Sequence, residues 1–208
     1  MSLPATKRRS PVQERSQETV QRVLAAASAL LASGVTVEAL TTAQIATAAG
    51  LSVGGLYRFF PDKQAIVDAI AVHHMELFQE QMAGRMMLAI PPDPSAFLGA
   101  IIDGFVAYLE ANPDFRILAF GAPGGGRYVS RPTRETFGGS SVLEAIREFV
   151  GEMYEIELSE DFGFRLRLVT EIGDRLLAYA FEQTAPDERA HIVAEAKSLL
   201  TSYLFAQP

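Results

Sequence analysis

The chain has no cysteine and only three histidines among its 208 residues. Without cysteine it can form neither disulfides nor thiolate metal sites, which fits a reducing cytoplasm. Residues 1–11 have no apolar core of the signal-peptide type. The longest stretch without charge, 39–57, contains three threonines, three glycines, a glutamine and a serine, so it does not resemble a membrane span. We therefore expect a cytoplasmic protein without a membrane partner.

Motifs for phosphate binding and catalysis are also lacking. The stretch from Gly121 to Arg127 imitates the phosphate-binding loop G-x-x-x-x-G-K-[ST], but arginine replaces the lysine, Tyr128 replaces serine or threonine, and no apolar strand precedes it. Residues 121–139 are rich in Gly, Pro, Ser and Arg and are predicted to form an exposed loop. No nucleophile, base and orienting group stand at an informative spacing. We therefore predict neither an enzyme nor a cofactor.

The histidines do not indicate a metal site. His73 and His74 are neighbours on a predicted helix, so their side chains point about 100° apart and do not easily share one ion. His73 shares a helical face with Glu76 and Glu80, and we interpret this stripe as facing solvent. No bound metal is predicted.

The charge of the chain is divided unevenly along its length. Residues 1–60 carry six basic and three acidic side chains, a net charge of +3, whereas residues 61–208 carry 12 basic and 22 acidic ones, a net charge of −10. A basic N-terminal end can approach a polyanion that repels the acidic remainder. The run Lys7 to Arg9 is either a solvated arm or an arm that contacts nucleic acid.

Residues 41–63 have the pattern of two short helices joined by a tight turn. Thr42 is expected to cap the first helix, Gly50 to end it, and Ser52 to cap the second. Small Ala46 lets the two helices cross closely. This is the helix-turn-helix pattern, although an ordinary helical hairpin inside a bundle has similar features. The apolar positions are Ile45, Ala46, Ala49, Leu51, Leu56, Phe59 and Phe60.

The run T-T-x-x-I-A-x-x-A-G-L-S-x-G-x-L-Y-x-x-F-x-x-K at 41–63 closely resembles the DNA-binding segment of TetR-type (tetracycline-repressor-like) transcriptional regulators. The match covers about the first third of the chain, and the rest resembles the family in length and helical character. The resemblance implies an all-α homodimer with an N-terminal three-helix DNA-binding domain, residues 1–60, and a larger ligand-binding and dimerisation domain, residues 61–208. Its partners would be a double-stranded DNA operator and a small-molecule inducer.

The resemblance also assigns roles by position. Thr42, Tyr57 and Lys63 would contact phosphates, whereas residues 53–55 and 58 would lie against the bases. Position 55 is usually threonine or serine in this pattern, and Gly55 removes that hydroxyl. The predicted DNA-binding residues are Thr42, Ser52, Val53, Gly54, Gly55, Tyr57, Arg58 and Lys63.

Helical periods continue on both sides of this segment. A helix over 12–33 is predicted to end at Gly34. A long helix opens at Pro61, with Asp62 as its cap and Lys63 projecting back toward the N-terminal helices. Further helices are predicted at 93–111, 113–120, 140–153, 160–184 and 186–205. The helix at 160–184 is apolar around most of its circumference, so we predict that it forms a four-helix bundle between subunits together with the helix at 186–205, with Leu176 and Leu200 as test positions.

We predict a ligand pocket between the helix that starts at Pro61 and those starting near residues 93, 113 and 140. Composition favours a small, largely apolar ligand, and Arg116, Glu152 or Tyr154 are candidates to orient it. The predicted function is a repressor that this inducer releases from a palindromic operator. The rival hypothesis is a helical small-molecule-binding protein or enzyme whose hairpin does not bind DNA. The predicted ligand-binding residues are Phe78, Met82, Met86, Phe105, Arg116, Phe120, Phe149 and Met153.

Overall fold

A computed structural model describes residues 11–121, 127–137, 140–156, 158 and 161–205. Over these residues the chain forms ten helices and no strand, which confirms the all-α prediction. The helices are α1 (Pro11–Ala32), α2 (Thr42–Ala48), α3 (Val53–Tyr57), α4 (Lys63–Leu88), α5 (Pro94–Ala111), α6 (Pro113–Phe120), α7 (Arg131–Phe137), α8 (Ser140–Tyr154), α9 (Phe162–Glu182) and α10 (Pro186–Leu204).

The chain divides into two compact units, the N-terminal unit Met1–Ile70 and the C-terminal unit Ala71–Pro208. The N-terminal unit extends ten residues beyond the boundary that the sequence predicts. The extension consists mainly of the first two turns of α4, whose apolar side chains are buried like those of a core element. The buried residues are Ile66, Val67 and Ile70.

Local signals account for the helix ends of the N-terminal unit, with one correction. The cap of α2 is Thr41 and not Thr42: Thr41 Oγ1 accepts from the N–H of Gln44, whose side chain accepts the N–H of Thr41 in return. Glutamine at this position makes Thr41 the better cap, because the two residues satisfy each other's backbone groups. Ser52 caps α3 and Asp62 caps α4, as predicted.

Gly50 ends α2 as predicted, with a positive φ of 68° that residues with a Cβ rarely adopt. Its N–H donates to the carbonyl of Thr47, and the N–H of Leu51 donates to the carbonyl of Ala46. Leu51 itself is only partly buried, although the sequence pattern predicts a buried contact there. This arrangement turns the chain sharply, so Ser52 begins α3 immediately afterwards.

The core of the C-terminal unit lies between α5, α9 and α10. The Phe162 and Phe205 rings lie 6.1 Å apart, and the Arg189 guanidinium lies 5.0 Å from the Phe181 ring at the other end, so α9 and α10 run antiparallel. By length and composition α5 could cross a bilayer, but core helices pass the same test, and α5 contributes Ile102 to this core. The central cluster consists of Ile102, Phe162, Leu166, Val169, Leu200 and Leu204.

One prediction for this unit needs correction. The stretch predicted as an exposed loop, 121–139, contains α7, because Ser130 supplies a capping oxygen and Pro132 fits the first turn of a helix. Residues 122–126 and 138–139 of that stretch lie outside the described residues. Leu200, a test position for contact between subunits, is 3% exposed within one subunit, and Leu176 is partly buried.

Candidate functional site

The outer side of α3 combines exposed backbone at Gly54 with three exposed side chains. Val53 and Tyr57 are 41% and 49% exposed, and Arg58, which follows the helix, is also exposed. Gly54 is exposed as well, and a Cβ added there would meet no heavy atom within 4 Å. The surface is therefore a stretch of accessible backbone flanked by an aliphatic, a phenolic and a guanidinium group.

Hydroxyl groups border this surface. Thr42 Oγ1 and Tyr57 Oη lie 3.2 Å apart, with Thr42 partly exposed and Tyr57 exposed, so α2 and α3 together present a pair of hydroxyls. Ser52 Oγ has a different role, because it accepts the N–H of Gly55 at 3.0 Å as the cap of α3. A Cβ on Gly55 would lie 3.1 Å from that oxygen, so glycine leaves room for the cap.

Lys63 binds within the N-terminal unit. Its Nζ donates to the carbonyl oxygen of Val37 at 2.8 Å and more weakly to that of Glu38 at 3.4 Å. Lys63 therefore projects back over the segment between α1 and α2, as predicted. An ammonium group has three N–H donors, so one remains for a phosphate.

A cavity of about 640 Å³ lies inside the C-terminal unit. Its walls are mainly apolar and come from α4, α5, α6, α8, α9 and α10, together with the segment around α7. The wall from α9 extends from Phe162 to Leu177, a length of about 22 Å at 1.5 Å per residue. Seven of the lining residues are polar: Arg127, Arg131, Arg134, Glu135, Thr170, Glu171 and Asp174.

These polar residues come from two neighbouring parts of the chain, namely 127–135 and the middle of α9. Arg127 forms an ion pair with Asp174 and also lies over the Phe120 ring, 6.0 Å from its centroid. Arg131 pairs with Glu135 one turn later, at 2.7 Å. The cavity thus has a polar wall on one side and apolar walls elsewhere.

Two family models match this chain. The model described as bacterial regulatory proteins of the tetR family matches residues 23–70, and the model described as the tetracyclin repressor-like C-terminal domain matches residues 92–207, more than half of the chain. The chain belongs to the TetR family of transcriptional regulators. The family assignment supports a DNA-binding regulator with a helix-turn-helix and a ligand-binding C-terminal domain.

Solved TetR-family structures share this fold. A TetR-family transcriptional regulator from Streptomyces coelicolor is 26% identical, with a TM-score of 0.68 over 89% of this chain and 97% of that one. The fatty acid degradation regulator FadR from Bacillus halodurans is 17% identical (TM-score 0.63, 94% and 97% covered). RolR, solved in complex with resorcinol, is 14% identical (TM-score 0.65, 94% and 97% covered). No curated protein matches the chain in sequence.

Three of the eight predicted ligand-binding residues line the cavity of this TetR-family protein, namely Phe78, Phe105 and Phe120. The other five, Met82, Met86, Arg116, Phe149 and Met153, do not belong to the cavity wall. Met82 packs closely on α5, and Met153 is 37% exposed. The predicted location omits α9 and α10, which supply much of the wall, because the sequence alone does not indicate how deeply those helices enter the core.

A buried polar cluster lies directly behind the cavity wall, and we call it the His74 cluster. His74 Nδ1 is 2.9 Å from Tyr108 Oη and its Nε2 is 3.1 Å from Asp114 Oδ2, and all three residues are at least 92% buried. The Phe115 ring, which lines the cavity, stacks on the His74 ring at 5.0 Å. The cluster connects α4, α5 and α6.

The His74 cluster has a defined pattern of donors and acceptors. Burial, and to a lesser extent the charge of Asp114, raises the pKa of Tyr108 above its ordinary value of 10.0. Tyr108 therefore keeps its proton at neutral pH, and in the neutral tautomer with the proton on Nε2 it can donate to Nδ1 while Nε2–H donates to Asp114. Sequence analysis missed this cluster, because its members are 34 and 40 residues apart. Among the described residues no group of three or more histidines and acidic residues could hold a metal ion.

Proposed function

We propose that this chain is a cytoplasmic repressor that binds a palindromic operator as a homodimer and is released by a small, largely apolar inducer. The observation that carries the proposal is the exposed backbone at Gly54 on the outer side of α3, within a segment that matches the tetR-family model. A recognition helix enters the major groove, where exposed backbone allows close approach to base edges. The rival hypothesis is a helical small-molecule-binding protein or enzyme whose hairpin does not bind DNA. No observation of similar weight favours it.

The residues around α3 suit separate roles in DNA binding. The hydroxyls of Thr42 and Tyr57 and the remaining donor of Lys63 would contact phosphates, which position the protein without reading sequence. Arg58 would read a guanine edge, and Val53 would pack on a thymine methyl group. Gly54 and Gly55 would let the backbone approach the groove.

Dimerisation would occur through α9 and α10. Phe164, Ile172 and Tyr179 on α9 are 54%, 40% and 45% exposed, and Leu199 and Tyr203 on α10 are 54% and 38% exposed. A second copy of the same helix pair would cover these apolar side chains and form a four-helix bundle. Two linked recognition helices would then fit half-sites about 34 Å apart on the duplex.

The cavity would hold the inducer. Its largely apolar walls suit an apolar molecule, and α4 supplies both lining residues and the first turns that belong to the N-terminal unit. A ligand that shifts α4 would change the distance between the two recognition helices of the dimer. The groove spacing of the duplex is fixed, so such a change would weaken operator binding. Ligand and operator affinities would then be coupled reciprocally, typically by about 1–3 kcal/mol.

The experiment that tests DNA binding is selection of binding sites from random duplexes, followed by a gel shift with the selected site at two salt concentrations. We expect a palindrome to be enriched. Arg58→Ala should relax the preference at one position of each half-site, whereas Tyr57→Phe should weaken binding to all sequences similarly. The control variant is Arg147→Ala, which removes an exposed arginine of α8. Failure to enrich any sequence would overturn the proposal.

A further inference from the structure

We infer that the cavity binds an uncharged amphiphile, with a long apolar body and one hydroxyl head placed beside the Arg127–Asp174 ion pair. This inference rests on the proposed inducer function and deepens it, because it names the class of the ligand and the residues that select its head group. The length of the apolar wall indicates the body of the ligand, and the balance of charge on the polar wall indicates its head group.

The apolar body follows from the shape of the lining. On α9 the lining residues Phe162, Leu166, Val169 and Leu177 follow one another at helical spacing and span about 22 Å. Side chains from α5 and α10, such as Ile102 and Leu200, belong to the same buried cluster and also line the cavity. An extended chain or a fused ring system of drug size fits an apolar cavity of about 640 Å³.

The uncharged head follows from electrostatics. Arg131, Arg134, Glu135 and Glu171 are exposed, so the charged groups of the lining that are partly buried are Arg127 and Asp174, and their charges cancel. Arg127 and Asp174 already pair with each other, and a charged head would have to break that pair or enter without a counterion. Burying an unpaired charge is costly, whereas a hydroxyl can accept from the guanidinium and donate to the carboxylate.

Neighbouring contacts hold this pair in place. The Arg127 side chain is 22% exposed and lies over the Phe120 ring. The next two residues, Tyr128 and Val129, donate their N–H groups to the carbonyl of Leu118 at 3.2 and 3.3 Å, which anchors the segment to α6. A preorganised guanidinium binds a polar head with little loss of side-chain entropy.

Thr170 supplies a further acceptor on the same wall. Its hydroxyl donates to the carbonyl of Leu166 at 2.9 Å, so its oxygen is left to accept a hydrogen bond. A hydroxyl head has a proton to give to such an oxygen, whereas a carboxylate head does not. Thr170 therefore favours a neutral donor over an anion.

The test uses the full-length protein without DNA and three compounds with the same apolar body, decan-1-ol, decanoate and decylammonium, each titrated calorimetrically below its aggregation concentration. We expect decanol to bind at least about tenfold more tightly than either ion, because only the ions must be buried without a partner. Binding of either ion as tight as that of decanol overturns the inference. So does the absence of binding by all three.

Variants of the pair should shift the selectivity in opposite directions. Asp174→Asn leaves Arg127 without its counterion and should improve decanoate binding by about tenfold relative to decanol, and Arg127→Gln should do the same for decylammonium. The double variant replaces both charges by amides that can still form hydrogen bonds, and it should retain the preference for decanol. It provides a test if one of the single variants does not fold. The matched control is Arg175→Gln with Glu182→Gln, an exposed ion pair on α9 outside the cavity lining. Unchanged selectivity in both single variants contradicts a role for this pair.

A second arm separates this inference from the proposed function. The selected operator is added, and decanol is titrated into the complex. Decanol that binds with the expected selectivity but leaves the operator bound would refute induction and leave the ligand class standing. Release of the operator by decanoate alone would support induction and refute the ligand class.

Discussion

The two units of the molecule hold their candidate functional groups in place by different means. In the N-terminal unit the caps join near neighbours, such as Thr41 with Gln44 and Ser52 with Gly55, and most of the groups proposed to meet DNA are exposed. In the C-terminal unit the His74 cluster joins distant residues, such as His74 with Asp114, 40 residues apart, and it is buried. Binding and stability should therefore be separable in the first unit and closely linked in the second.

The largest effect should come from a charge placed in the core of the C-terminal unit. Leu200 is 3% exposed and its neighbour Leu199 is 54% exposed, although both lie on α10. Leu200→Glu buries an unpaired carboxylate and should lower the free energy of unfolding by about 4 kcal/mol or more. Leu199→Glu should leave the subunit folded but dissociate the dimer. Circular dichroism melting and sedimentation of each variant distinguish the two outcomes.

A folded Leu200→Glu variant would contradict the core assignment and break the comparison between the units. A monomeric unmodified protein at micromolar concentration would instead remove the proposed dimer, and with it the requirement for a palindromic operator. A dimeric Leu199→Glu variant would place the interface elsewhere. Leu200→Glu tests the surface of α10 that faces the core, and Leu199→Glu tests the surface that is exposed in one subunit. The two variants can therefore be judged independently.

The His74 cluster should give the next largest effect. Asp114→Ala removes the acceptor of His74 Nε2–H inside the protein and should cost about 1–3 kcal/mol of unfolding free energy. Asp114→Asn keeps an acceptor oxygen and should cost less. Urea denaturation at neutral pH measures both. Equal losses for the two variants would mean that packing, rather than the hydrogen bond, is what Asp114 contributes.

These differences between the two units also explain which structural features could be predicted from the sequence. The helix ends at Gly50, Ser52 and Asp62 were predictable, because each depends on a conformation or a cap within three residues. The N-cap of α2 was predicted one residue late, at Thr42, because two threonines stand together and only the reciprocal bond with Gln44 distinguishes them. The all-α architecture was implied by the resemblance to TetR-type regulators, and the helical periods along the rest of the chain agreed with it.

The cavity was predicted less well, for a physical reason. Periodicity tells which side of a helix is apolar but not which helix that side will face. Phe78 and Phe105 were found because they lie on strongly apolar sides of α4 and α5, whereas the polar wall with Arg127 and Asp174 joins residues 47 positions apart in sequence. Periodicity places His74 on the apolar side of α4 with Ile70 and Phe78, but it does not indicate that Tyr108 and Asp114 would meet it there.

A moderate effect is expected at Lys63, the residue of the N-terminal unit that combines a long-range contact with a proposed DNA contact. Lys63→Ala removes the hydrogen bonds to the carbonyls of Val37 and Glu38 and should cost about 1 kcal/mol of unfolding free energy. If its remaining donor binds a phosphate, the slope of log K against log salt should also fall by about one. Thermal melting and salt-dependent gel shifts measure the two effects. Loss of stability with an unchanged slope would leave Lys63 a purely structural role.

The smallest effects should come from the two glycines of α3, which form a matched pair. Gly54→Ala adds a methyl group that meets nothing within 4 Å, so lower backbone entropy of the unfolded chain should stabilise the protein by about 0.5 kcal/mol. Gly55→Ala places its methyl 3.1 Å from the capping Ser52 Oγ, so the same gain should be offset by a weakened cap. Thermal melting compares the two stabilities.

Because the proposed surface lets backbone approach the groove, Gly54→Ala should nevertheless weaken operator binding, which a gel shift measures. Stabilisation by Gly54→Ala with unchanged operator affinity would mean that this part of α3 does not approach DNA closely.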